Sequence, residues 1–145
     1  MRELTLKEIP SGSDLKAALT AAGLPTDDLD EAGRLYFECR NPDGMLIGFS
    51  GLEKCGPDLL LRSMVILPEF RSQGYGRYLA LATIAQTRPS ADIYLATTTA
   101  AAFFELLGFE AVTRDRVPEQ ILSTRQLSGI CPASATIMKL NRPPT

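Results

Sequence analysis

The sequence predicts an α/β domain on a mixed, mostly antiparallel sheet of about six to seven strands, flanked by helices on both faces. Three observations predict it. Short apolar runs of strand length alternate with longer runs that carry helix start and stop signals. Asn41-Pro42-Asp43-Gly44 and Lys54-Cys55-Gly56-Pro57-Asp58 are turn sequences between strand-like runs, which marks antiparallel hairpins. Residues 59–67 form a nearly unbroken apolar run, as expected of a strand covered on both faces.

Each element has a local reason. Residues 3–9 alternate and read as a first strand, closed by Pro10. Ser11-Gly12-Ser13-Asp14 offers an N-cap for a helix over residues 15–22, which Gly23 and Pro25 end. An acidic connection, residues 27–31, leads to a strand over residues 33–40. In the turn that follows, Pro42 pre-sets φ and Gly44 relieves the exit, so residues 45–53 return antiparallel. Residues 59–67 are expected to be the central strand, ended by Pro68. A helix over residues 76–87 is broken by Pro89-Ser90, and residues 92–96 are a short buried strand. Thr97-Thr98-Thr99 can cap a helix over residues 100–107, and Gly108 stops it. Residues 109–112 start another strand, residues 117–123 form a short helix with Pro118 in its first turn, and residues 133–140 are the last strand. Residues 1–140 thus read as one domain, and residues 141–145 as a frayed tail.

Composition narrows the function. A domain of 145 residues buries roughly two thirds of its unfolded surface, enough for a core without staples. A net charge of −2 provides no basic field for nucleic acid, so any anion site must be local. The chain has no histidine, which excludes His-ligated metals, His triads and a histidine base, and no metal is expected. Cys39, Cys55 and Cys131 are widely spaced, as free buried thiols in a reducing cytosol would be. No apolar leader and no membrane-length run is apparent, so the expected location is the cytoplasm, with no membrane partner.

The most informative stretch is Arg71-Ser72-Gln73-Gly74-Tyr75-Gly76, between the central strand and a helix. A glycine-containing loop entering a helix can turn several backbone N–H groups toward one point, where the helix dipole adds positive charge. Gly74 and Gly76 allow close approach, and Arg71 and Arg77 bracket the loop with fixed charge. No Gly-Lys-Ser/Thr follows, so this is not a nucleoside-triphosphate loop, and the three-glycine dinucleotide spacing is absent. Two readings of the stretch itself stand: a pyrophosphate site, or a strand-to-helix turn with solvated arginines.

Two blocks in order, residues 65–76 and Ala100-Ala101-Ala102-Phe103-Phe104-Glu105-Leu106-Leu107-Gly108-Phe109, resemble the GNAT superfamily of N-acetyltransferases. The C-terminal run Val117-Pro118-Glu119-Gln120-Ile121, Thr124, Cys131-Pro132-Ala133-Ser134-Ala135 and Met138 is similar to small bacterial acetyltransferases named for arsenic-resistance operons, and the short N-acetylglutamate synthases share some of it. The resemblance implies a single GNAT-like domain that binds acetyl-CoA as cosubstrate, in a V-shaped opening between the central strand and its parallel neighbour. It implies backbone contacts from Val65, Ile66 and Leu67 to the pantetheine arm, and phosphate contacts at Arg71, Gln73, Gly74, Tyr75, Gly76 and Arg77. Thr97 stands where many relatives carry an asparagine that touches the cofactor, with Thr98 as a neighbouring candidate. Phe103 and Phe104 would line the thiol end or the core. A homodimer is one assembly the family uses.

The implied reaction is direct attack of a small-molecule amine on the thioester in a ternary complex, with no covalent acyl-cysteine. A backbone N–H near Val65 would polarise the carbonyl. Glu53 is the first candidate base, against a solvated strand-end carboxylate. Arg62 would hold a substrate carboxylate bidentately, as of an amino acid or amino-acid-like toxin, or would pair with Glu53 or another acid. Ser63 is a cleft contact or a small core residue. Phe104 occupies the position of the usual tyrosine acid, leaving water, Tyr75, Tyr78, Tyr94 or the ammonium to supply the proton. That loss sets a second function beside the first: a non-catalytic acyl-CoA-binding or regulatory protein of the same fold. Cys131 and the set Phe37, Phe49, Phe103 and Phe109 read as core.

Overall fold

The computed structural model describes residues 4–124, 127 and 135–141. Its elements are β1 (Thr5–Ile9), α1 (Ser13–Ala21), β2 (Arg34–Arg40), β3 (Leu46–Cys55), β4 (Asp58–Ile66), α2 (Tyr75–Ile84), β5 (Ile93–Thr97), α3 (Ala101–Leu106), β6 (Phe109–Ala111), α4 (Glu119–Leu122) and β7 (Thr136–Leu140). Single 3-10 turns lie at Pro68–Phe70 and Arg114–Arg116. The seven strands form one sheet in the order β1-β2-β3-β4-β5-β7-β6, so β4 is central as expected. β4 and β5 run parallel, with Leu59 opposite Ile93 and Leu60 opposite Tyr94. The last strand inserts antiparallel between β5 and β6. Among the described residues no helix is long and apolar enough to cross a membrane.

The local chemistry explains the boundaries. α1 ends where Gly23 takes φ 73, its N–H donating to Thr20 and that of Leu24 to Leu19, the double bond of a glycine-terminated helix. At the first hairpin Asn41 Oδ1 accepts from the N–H groups of Asp43 and Met45, while Gly44 takes φ 81. α2 stops at Ile84, three residues short of expectation, because Gln86 and Thr87 bond three residues back rather than four. α4 is also shorter than expected. Pro118 has ψ 146 and Val117, held extended by the proline, has ψ 132, so the helix begins at Glu119. The tail beyond residue 141 and residues 133 and 134 of the expected last strand lie outside the described residues.

Two compact units share the chain: residues 1–52 with 63–87, and residues 53–62 with 88–145. In the first, Leu15 and Leu19 of α1 pack with Tyr36, Phe49 and Val65, while Leu79 of α2 packs with Cys39, Ile47, Met64 and Ile66. Val65 alternates with Met64 and Ile66, so the two helices cover opposite faces of that sheet region. Ser50 and Thr83 hydroxyls bond at 2.7 Å in this core. The acidic connection is more ordered than its composition suggests: fully buried Asp28 accepts from Arg34 at 2.8 Å, and Tyr36 donates to the Leu29 carbonyl. In the second unit Leu60, Tyr94, Ile121 and Ile137 form the core with Cys55 and Val117.

β4 is not a regular strand. The N–H of Leu59 donates to Asp92, on the β5 side, while the N–H of Leu67 donates to Ile47, on the β3 side. In regular β-structure residues an even number of places apart point their polar groups to the same edge. The alternation therefore breaks once between them. The break is at Ser63, whose φ of 57 puts a non-glycine residue in the left-handed region at a cost of about 1–2 kcal/mol. Beyond it, β3 passes very close to β4: a Cβ on Gly48 would stand 2.2 Å from the Val65 carbonyl oxygen. Gly48→Ala is therefore expected to lower stability by about 2–3 kcal/mol, read as a lower urea midpoint at unchanged slope.

Candidate functional site

The loop that the sequence singles out carries two left-handed residues before α2. Ser72 takes φ 62 and Gly74 φ 84, the left-handed values found in loops whose successive amides turn toward an anion. Gly74 is the N-cap of α2 and provides no side-chain cap; the first turn carries no acidic residue. The helix thus presents its free N–H groups uncancelled by a neighbouring carboxylate. Gln73 lies over the loop with its side-chain amide donating to the Glu69 carbonyl at 3.1 Å. Arg71 is exposed, yet its Nε donates to the Ile66 carbonyl at 2.8 Å, so the side chain folds back on the end of β4. Arg77 is exposed, and Tyr75 meets Phe70 edge-on at a ring separation of 5.9 Å.

The backbone of β4 departs from the expected pattern. Leu67 N–H is spent on Ile47, at 2.8 Å, and cannot bond a ligand. By alternation Val65 also points its polar groups at β3, where its carbonyl abuts Gly48. The residues that address the other edge are half-buried Met64 and Ile66. Of the expected trio Val65, Ile66 and Leu67, only Ile66 faces that way. The reason is Ser63: an unbroken strand would have kept Val65 and Leu67 on the same edge as Leu59. No sequence signal marks a serine for positive φ in a strand.

In the second unit Glu53 and Arg62 meet. Arg62 Nη1 donates to Glu53 Oε1 at 2.8 Å, with side-chain exposures of 0% and 6%. Of the two states expected for Arg62, the structure has the ion pair, and Glu53 is not a solvated strand-end carboxylate. Ser63 is buried. Thr97 Oγ1 accepts from the Ala100 N–H at 3.0 Å, which closes the turn between β5 and α3; the N-cap of α3 is Ala100, with no side-chain cap, so the expected threonine cap is not formed, and Thr98 is exposed. Phe104 is buried and stacks edge-on with both Phe103 and Phe109, an aromatic core cluster. Among the candidate proton donors, Tyr94 is 3% exposed. Its phenol is raised above the ordinary value of 10.0 by burial and then by Asp92 and Asp58, so it holds its proton tightly. Burial, followed by Asp92, also raises Asp58. Lys139 lies 3.7 Å from Asp92 and over the Tyr94 ring. Tyr78 is on the outer side of α2, 39% exposed. Among the described residues no group of His, Cys, Asp and Glu is placed to hold a metal.

Comparison with known proteins follows this geometry. Residues 32–111, more than half the chain, match the acetyltransferase (GNAT) domain family. No curated protein sequence matches. An N-acetylglutamate synthase from Neisseria gonorrhoeae, crystallised with coenzyme A and L-arginine, superposes with TM-score 0.75 at 17% identity over 98% of this chain and 34% of that one. The chain thus spans about a third of that enzyme's length. A GNAT-family acetyltransferase from Staphylococcus aureus superposes with TM-score 0.70 at 16% identity, covering 94% and 99% of the two chains. An acyl-CoA N-acyltransferase from Pseudomonas aeruginosa gives 0.61 at 17%, covering 96% and 99%. At these identities the likeness establishes the fold.

The cysteines bear on any thiol-based measurement. Cys39 and Cys55 are free and buried, while Cys131 lies outside the described residues. Burial pushes the Cys39 thiol up to about 11. Neither Cys39 nor Cys55 is expected to react with a chromogenic disulfide at pH 8 without denaturant, as free thiols counted before and after unfolding will show. Unfolding lets Cys39 ionise near its ordinary value of 9.0, so its contribution to stability, intact below pH 9, is lost as pH rises toward about 11.

Proposed function

The chain belongs to the GNAT acetyltransferase family, and on that premise we propose that it is an acetyl-CoA-dependent N-acetyltransferase acting on a small-molecule amine. The observation that carries this reading is the start of α2, which has no side-chain cap and no acidic first turn and is preceded by left-handed Ser72 and Gly74. A diphosphate would bind there, with the N–H groups from Gln73 to Arg77 as donors and Arg71 and Arg77 as flanking charge. Met64 and Ile66 offer the β4 backbone to an extended amide-bearing arm, in the manner of an added strand. Of the two threonines, Thr98 is the proposed cofactor contact, since it is exposed while the Thr97 hydroxyl accepts from the Ala100 N–H.

Bound acetyl-CoA would supply an activated acyl group as a thioester. The chain's part is to hold it, to place an amine beside it, and to offer the Met64 N–H to the carbonyl oxygen as negative charge develops. Attack forms the new C–N bond and expels the thiolate directly, since neither described cysteine is exposed to act as an acyl carrier. Glu53 is the proposed base for the amine proton, held in place by Arg62. An acceptor carboxylate would have to compete with Glu53 for Arg62, which weighs against a carboxylate-bearing acceptor bound there. An amino-acid-like acceptor, its carboxylate held elsewhere than at Arg62, and the arsenic-resistance-type group suggested by the C-terminal run both belong to this proposal. A cytoplasmic location is proposed with it, and a homodimer remains within the family's range.

Phe104 favours the second reading, a non-catalytic acyl-CoA binder, because a core phenylalanine cannot protonate a leaving thiolate. An amine panel incubated with acetyl-CoA while thiol release is followed separates the two: binding without release on any amine leaves only the binder. Gly74→Trp should abolish CoA binding by calorimetry while the circular dichroism spectrum is retained; normal binding would remove the diphosphate site. Glu53→Gln should lower turnover by roughly 100-fold or more at unchanged CoA affinity. Equal rates and equal pH profiles in the two proteins would exclude Glu53 as base.

A further inference from the structure

Arg62 and Ser63 are neighbours in β4, and each is unusual for a central strand. One is a charged side chain with no exposure; the other carries φ 57. A backbone in that region persists only where its surroundings impose it. The surroundings here include a charge-assisted bond of 2.8 Å across the β3–β4 hairpin, from Arg62 Nη1 to Glu53 Oε1. Counting outward from the Gly56-Pro57 turn, Arg62 lies two places beyond the residue facing Glu53. That diagonal, on the same face, is within reach of long side chains. The pair therefore fastens β4 to β3 immediately before the irregular residue. It is also where the chain changes company: residues 53–62 belong to one compact unit, and the flanking residues to the other.

The consequence of the irregularity is an exchange of edges. Before Ser63 the odd-numbered Leu59 addresses β5; after it the odd-numbered Leu67 addresses β3, so Met64 and Ile66 address the edge opposite β3. We propose that the buried Glu53–Arg62 pair is the positioning device for this exchange: it holds Ser63 in its left-handed state and thereby aims the Met64 N–H at the acyl carbonyl. Arg62 is on this account a positioning residue, acting through the backbone rather than on substrate. The inference rests on the acyl-transfer reading of the β4 edge.

The test uses the full chain, labelled for amide NMR, with acetyl-CoA and CoA as probes, calorimetry for affinity, and thiol release with an amine panel for turnover. In the unsubstituted protein both probes bind, and the Met64 amide distinguishes acetyl-CoA from CoA; binding of neither would sink the acyl-transfer reading itself. Arg62→Met should bind both probes as before, lose the Met64 distinction, and fall about 100-fold in turnover on amines the unsubstituted protein acetylates. Arg62→Lys, which keeps one charged donor, should restore part of the distinction. The double substitution Glu53→Leu with Arg62→Met removes both charges, a change that often leaves stability intact, and should lose the distinction too. Wild-type Met64 responses in Arg62→Met or in the double variant overturn the proposal. Unfolding of both variants also overturns it, because the pair then serves stability alone.

Discussion

Each residue of a strand can offer its N–H and C=O to one edge only, and the proposed chemistry of this domain depends on how β4 divides that resource. Its first half must bond β5 to close the sheet, as Leu59 does through Asp92. Its second half must bond β3 and still leave amides on the opposite edge. A regular strand satisfies both, but with the wrong residues: Val65 and Leu67 would face out, with side chains set on the opposite faces from those observed. The single left-handed residue at Ser63 keeps both edges in use and moves the outward amides to Met64 and Ile66. Gly48 is the accommodation on β3, since the strand it faces has come too near for a Cβ. A strained residue, a glycine and a buried ion pair thus occur within a few positions of one another on the same hairpin.

Electrostatics adds a second constraint. The chain carries net charge −2, so a highly charged anion gains nothing from the overall field. Attraction has to be built locally from backbone dipoles. A helix terminus contributes about 0.3–1 kcal/mol to a nearby charge at an exposed site, which is modest. In the proposed site the amides from Gln73 to Arg77 would multiply that contribution without any side chain being ordered. α2 begins without a side-chain cap and without an acidic first turn, both of which would stabilise an ordinary helix, and the proposed site gives that omission a purpose. Arg71 is a smaller part of the loop than its charge suggests, because its Nε is engaged by the Ile66 carbonyl.

Much of this was legible in the sequence. The hairpins, the central strand and the glycine-containing turn into α2 rest on turn residues, apolar runs and glycines, all of which act locally. The threonine cap expected for α3 is replaced by a turn in which Thr97 bonds the N–H of Ala100, the N-cap residue itself. What was not legible depends on contacts distant in sequence. β7 slips between β5 and β6 because of pairing that no local pattern encodes. Asp28 reads as one acid in an acidic connection and is instead sealed beneath Arg34. The assignment of Val65 and Leu67 as outward-facing failed through one residue, since periodicity assumes that the alternation never breaks. Serine at positive φ carries no compositional mark, whereas the glycine at position 74 does.

The missing phenol at Phe104 decides less than it first suggests. An ordinary thiol ionises near 8.5, so a free thiolate at pH 7 lies about 2 kcal/mol above the thiol. Leaving it unprotonated at the moment of departure therefore forfeits an amount comparable with the 100-fold lower end of general acid catalysis. Enzymes lower barriers by about 8 kcal/mol or more, most of it from positioning and electrostatic preorganisation. The parts proposed for those terms, the α2 amides and the outward-facing Met64 and Ile66, are backbone groups that no substitution at Phe104 removes. Tyr94 is no substitute donor, being buried and raised beside two carboxylates. The proton released by the attacking amine is chemically sufficient to neutralise the thiolate, and water can carry it. On magnitudes, a slower transferase is the expected consequence of Phe104, and the transferase reading stands ahead of the silent binder.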